Sequence, residues 1–103
     1  MTIQELKIIL DSTDIPFAYN YWEDAPKLPY GVFVALENSE FYADGEIYYS
    51  FGRYRIEVYT KKKAPPTEAK VEAALAQNQI NYQKYENYIT SEKLYQISYE
   101  IEV

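Results

Sequence analysis

The last nine residues of the chain constrain its fold more than any other stretch. Tyr95, Ile97, Tyr99, Ile101 and Val103 alternate with Gln96, Ser98, Glu100 and Glu102. A period of two sends the two sets to opposite sides of an extended strand. The first set is apolar and faces inward, whereas the second is polar and faces out. A strand of this kind needs neighbours in a sheet and a cover over its apolar side.

The rest of the chain supplies both. Thr2 stands three residues before Glu5, the spacing of a capping box, and Ile3, Leu6, Ile9 and Leu10 follow on one helical face. Asp11-Ser12-Thr13-Asp14 ends this helix, because such side chains compete for helical backbone bonds. Residues 17–22 then read as a strand, with Phe17, Tyr19 and Tyr21 on one side. Residues 30–36 form a second strand, apolar on both faces and therefore expected to be central and covered on both sides. Residues 37–45 read as a loop or wide hairpin tip, with Asn38, Ser39 and Asp44-Gly45 as turn formers.

Residues 47–60 read as one long strand whose apolar face changes parity. Ile47, Tyr49 and Phe51 are odd, while Tyr54, Ile56 and Val58 are even. A period-two pattern changes face only through an irregularity, which predicts a bulge or sharp bend at Gly52. Arg53, Arg55 and Glu57 then fall on the wetter face. Pro65-Pro66-Thr67 opens a second helix to about residue 77, with Val71, Ala74 and Leu75 as its apolar stripe and Asn78 as its C-terminal cap. Residues 82–89 form another strand before the terminal one.

The resulting order is α-β-β-β-α-β-β, an α+β fold with one antiparallel or mixed sheet of about five strands and two helices. Strand-helix-strand alternation does not run the whole length, which excludes a doubly wound parallel sheet. With no internal repeat or linker composition, residues 1–103 read as a single domain.

Composition narrows the function. The chain has no cysteine and no histidine, which excludes disulfide staples, thiolate zinc sites and His-based triads. Its three glycines lie far apart, so neither a dinucleotide fingerprint nor a P-loop is present. Asp11/Asp14 and Glu37/Glu40/Asp44 lack the ligand register of a calcium loop and read as helix-stop and turn residues. Glu23/Asp24 and Glu100/Glu102 are paired carboxylates, but solvation of the surface explains them without catalysis. The expectation is a protein that is not an enzyme and has no cofactor and no metal.

Sixteen acids against ten bases leave a net charge of −6. The only basic cluster is Lys61-Lys62-Lys63, read as a solvated turn, so specific nucleic-acid binding is not expected. No apolar run reaches the roughly 20 residues of a membrane helix, and the N-terminus lacks a signal-peptide pattern. Those features imply no membrane partner and a reducing cytoplasm. Thirteen tyrosines stand against four phenylalanines and one tryptophan. A small domain has little deep interior, so most of these rings belong at core edges or at interfaces.

As a whole, the chain resembles small proteins encoded by phages and prophages of low-GC Gram-positive bacteria. The resemblance rests on Pro29-Tyr30-Gly31-Val32, Phe41-Tyr42-Ala43-Asp44, residues 54–61 (YRIEVYTK), residues 91–96 (SEKLYQ) and the final Tyr-Glu-Ile. The element order is also similar to that of tail-terminator (tail-completion) proteins of long-tailed phages, with head-closure and other neck proteins as close competitors. It implies a virion structural protein acting by ring self-assembly and docking, its partners being itself, in a ring such as a hexamer, and other neck or tail proteins. It implies residence in the host cytoplasm during assembly and then in the virion neck or tail. It brings no active-site residues.

A ring needs one patch that meets a different patch on the neighbour. Tyr42, Tyr48 and Tyr49 are the candidates for one half, or else form an aromatic cluster within the chain. Glu100 and Glu102 are candidates for a channel wall that repels DNA, or else keep the domain soluble. The alternative function is a small acidic protein-binding module, regulatory or inhibitory. A carbohydrate-binding surface around Trp22 is a third.

Overall fold

The computed structural model of the chain describes residues 1–36, 39–43 and 46–103; along 39–43 and 46–51 the description covers the backbone. Helix α1 (Ile3–Asp11) starts on the capping box that Thr2 and Glu5 encode: each residue's side-chain oxygen accepts the other's backbone N–H at 3.1 Å. The Thr2 bonds hold the Glu5 carboxyl below the usual carboxylate range. At the other end the Ser12 and Thr13 hydroxyls donate to the carbonyls of Ile9 and Leu10, both at 2.6 Å. Strands β1 (Phe17–Tyr19) and β2 (Tyr30–Ala35) follow, then β3 (Ser39–Ala43), β4 (Glu46–Phe51) and β5 (Arg53–Thr60). Helix α2 (Pro65–Gln77) precedes β6 (Tyr82–Ile89) and β7 (Leu94–Glu102).

The architecture is α+β. Five strands form one mixed sheet in the order β1-β2-β5-β7-β6, and β3 and β4 form a separate two-stranded sheet. Among the described residues only β1 and β2 run parallel; the other pairs are antiparallel. Both helices contribute to the main apolar core. Leu6 and Leu10 of α1 and Val71 and Leu75 of α2 are fully buried with Ile56, Val58, Ile97 and Tyr99 of the sheet. The terminal alternation holds: Ile97, Tyr99 and Ile101 are buried, while Glu102 is exposed.

Three expectations are corrected. The first strand stops at Tyr19, where Asn20 takes φ 68°, and Trp22 lies beyond it. Its parallel pairing with β2 requires a crossover instead of a tight turn, and residues 20–29 supply it. Part of residues 37–45 is strand, since β3 pairs with β4. The long strand at 47–60 is two strands in two sheets, and with β3 this adds two strands to the expected element order.

The break between them falls at Gly52, where the parity changes. Gly52 still exchanges backbone bonds with Val103, at 3.0 and 2.8 Å, while Leu36 N–H donates to the Arg53 carbonyl at 2.7 Å. The main sheet therefore continues to Leu36 and Gly52, and between them the chain makes the β3–β4 hairpin. The hairpin has an irregularity of its own, a register shift between Phe41 and Tyr42.

Candidate interaction surfaces

The sheet has two edges, and they differ in length. β1 has three residues, while β6 has eight. β6 pairs with β7 along its whole length, and residues 83–88 are exposed. Among the described residues, its only backbone hydrogen bond outside that ladder runs from Glu92 N–H to the Ile89 carbonyl, 3.2 Å. Neither Pro nor Gly interrupts it. Proteins usually blunt such an edge, because its free N–H and C=O groups are a template for another strand. Tyr85 and Tyr88 stand on it, 50% and 47% exposed.

A charge network anchors β6 to α2. Lys84 Nζ lies 2.7 Å from Glu68 and 2.8 Å from Glu72, and Lys63 reaches Glu68 at 2.8 Å and also bonds Glu86. The Tyr99 hydroxyl donates to Glu72 at 2.8 Å and that of Tyr82 at 3.3 Å. Burial pushes the Glu68 and Glu72 pKa values up, but the bonds from Lys63, Lys84 and Tyr99 outweigh it, and both carboxyls end below their usual range. The same bonds raise Lys84, whereas burial and then Glu72 raise Tyr99. The solvated-turn reading thus holds for Lys61 and Lys62, which are exposed, while Lys63 is a structural cation.

On the opposite face of the sheet lies a second polar array. Glu57, expected on a wet face, is only 8% exposed. The crossover at 20–29 overhangs this face, where Trp22 and Ala25 line a cavity with Glu57 and Tyr59: the Trp22 indole N–H donates to the Gly31 carbonyl at 2.9 Å, and its ring meets Tyr30 edge-on at 6.4 Å. Tyr30 in turn packs on Tyr59 at 5.4 Å. Beneath them Glu57 accepts from Arg55 Nε at 2.9 Å and from the Tyr59 hydroxyl at 2.8 Å, while the Gln96 amide donates to Tyr59 at 3.1 Å. Burial, then the bond to Glu57, pushes the Tyr59 phenol up to about 12. The sequence signal was the row Arg55, Glu57, Tyr59 on one strand face; the cover over it comes from a segment about thirty residues away, and no local pattern records that.

The sequence candidates fall in two places. Tyr42, Tyr48 and Tyr49 are in the β3–β4 hairpin, and their side chains lie outside the described residues. Glu100 and Glu102 point to the helix-free face of β7, Glu100 half-buried and Glu102 exposed. Glu100 lies 3.9 Å from Arg53, too far and too exposed to contribute much stability. Together with Asn81 and Gln83 they line a shallow groove of about 260 Å³. Among the described residues no group of three acidic side chains is placed to hold a metal, and no helix is long and apolar enough to cross a membrane.

No protein-family model matches the chain, and no curated protein matches it.

Proposed function

We propose that the chain is a non-enzymatic virion structural protein of the phage neck or tail end, of the tail-terminator or head-tail joining type. It works by assembling into a ring with copies of itself and docking on neighbouring neck and tail proteins. The observation that supports this reading is the β3–β4 hairpin, a two-stranded sheet that shares no strand with the main sheet. A hairpin alone in water is marginal. It gains stability from a neighbour, and a hairpin resting on a different patch of the next copy is the head-to-tail contact that closes a ring. Tyr42, Tyr48 and Tyr49 are then contact residues. Glu100 and Glu102 line the channel, where acidic side chains repel DNA instead of retarding it. Assembly takes place in the host cytoplasm, and the finished ring resides in the virion.

The test compares the parent chain with a variant in which residues 37–51 are replaced by a short Asn-Gly turn, using native mass spectrometry and negative-stain microscopy. Leu36 and Arg53 are already bonded neighbours, so the main sheet should close over the deletion. The parent should form a closed ring of fixed copy number. The variant should melt cooperatively without forming one. A parent that forms no ring, or a variant that still does, refutes the reading; antibody labelling of virions away from the head-tail junction refutes the neck assignment.

A further inference from the structure

We infer that β6 is a seam between two copies of this chain, pairing antiparallel with β6 of the second copy so that Tyr85 faces Tyr85 across a two-fold axis. Residues directly opposite in an antiparallel pair share a face of the sheet. Two identical strands can meet that condition only if the axis passes through a residue and not between two. Registers centred on Tyr85 and Glu86 pair seven of the eight residues of β6, whereas those centred on Lys84 and Asn87 pair five, and the Asn87 register leaves Lys84 with no opposite residue in the strand. An axis through Lys84 sets Lys84 against Lys84, and one through Glu86 sets Glu86 against Glu86. Like charges directly opposite are destabilising.

An axis through Tyr85 sets Lys84 against Glu86 twice, once on each side. It also sets Gln83 against Asn87, amide to amide, and Tyr82 against Tyr88. The existing network continues through this arrangement. Lys84 is held by Glu68 and Glu72 and Glu86 by Lys63, so each brings an ordered charge to the seam. Tyr82 already packs on Tyr99 at 5.3 Å and Tyr88 on Tyr95 at 5.0 Å, so the new Tyr82–Tyr88 contact joins two existing aromatic pairs. The main sheets of both copies then run on as one, with the helices of both on the same side. A two-fold contact closes at two copies and uses neither the hairpin nor the ring. It stands or falls separately from the phage reading.

The absence of cysteine makes the register directly testable. Tyr85→Cys places two thiols opposite each other, with Cα atoms about 5 Å apart, inside the range of a disulfide. Gln83→Cys places its own pair four residues out of register, about 13 Å apart and beyond that range. Under mild oxidation Tyr85→Cys should give at least about ten-fold more covalent dimer than Gln83→Cys, while Gln83→Cys mixed with Asn87→Cys should cross-link to each other. Glu86→Lys, on an exposed side chain, should raise the dimer dissociation constant about ten-fold in sedimentation experiments with an unchanged circular dichroism spectrum. Equal cross-linking at 83 and 85, an undiminished Glu86→Lys dimer, or a parent that sediments as a monomer at all concentrations would overturn the inference.

Discussion

Gly31→Ala should destabilise the protein severely for so small a change, and the structure says why. Gly31 sits in β2 opposite Val58 of β5, with the ring of Phe17 lying against its α-carbon. A methyl group there would stand 2.2 Å from Phe17 Cε1, 2.6 Å from Cδ1 and 2.7 Å from the Glu57 carbonyl oxygen. Phe17 is 3% exposed within the core, and the Glu57 oxygen belongs to the β2–β5 backbone. Overpacking a core costs about 1–3 kcal/mol, and the backbone clash places this case at the upper end. For a chain of this size, 2–3 kcal/mol lowers Tm by about 10 °C. Thermal and urea melts followed by circular dichroism measure it. Emission from Trp22, the only tryptophan, reports the site itself, because its indole bonds the Gly31 carbonyl. Phe17→Leu in the same chain removes part of the clash, so the double variant should lose less than the sum of the two, by about 1 kcal/mol. A Gly31→Ala protein melting within about 2 °C of the parent would refute the reasoning.

Three further changes test other parts of the fold. Ile101→Ala empties a core position that is 3% exposed and should cost about 2–5 kcal/mol in urea denaturation. Gln79→Gly should stabilise by about 0.5–1 kcal/mol, because Gln79 sits at φ 59° in the turn that ends α2, where Ile80 N–H returns to Leu75, and only glycine adopts that conformation without strain; a lower Tm would count against it. Lys84→Met tests the charge network through pH. The folded-state pKa values of Glu68 and Glu72 are lowered from 4.5, so their contribution is present above that value and lost as pH falls through the folded values. Without Lys84 that loss should begin at higher pH, and stability at neutral pH should drop by about 1–2 kcal/mol, less than for a fully buried pair because Lys63 remains and Lys84 is partly exposed. An unchanged acid-unfolding midpoint would show that the network does not act on stability.

Much of what depends on neighbours in sequence is legible in the chain, although the end of β1 at Asn20 and the strand character of residues 39–43 are not. The Thr2–Glu5 cap, the Pro65-Pro66 start of α2, the alternation from Tyr95 to Val103 and the parity change at Gly52 each rest on residues a few positions apart. Helical and strand periods alone decide which side chains share a face. They do not decide which strand lies beside which, because that choice is made by contacts between segments tens of residues apart. The parallel pairing of β1 with β2, the second sheet formed by β3 and β4, and the burial of Glu57 beneath the Trp22 crossover all belong to the tertiary structure. So does the open edge. The two mixed faces of β6, Tyr82, Lys84, Glu86 and Tyr88 on one side and Gln83, Tyr85 and Asn87 on the other, are plain in the sequence. That the strand sits at the rim, with no ladder on its outer side among the described residues, follows only from the order of strands in the sheet, where β7 is its one neighbour.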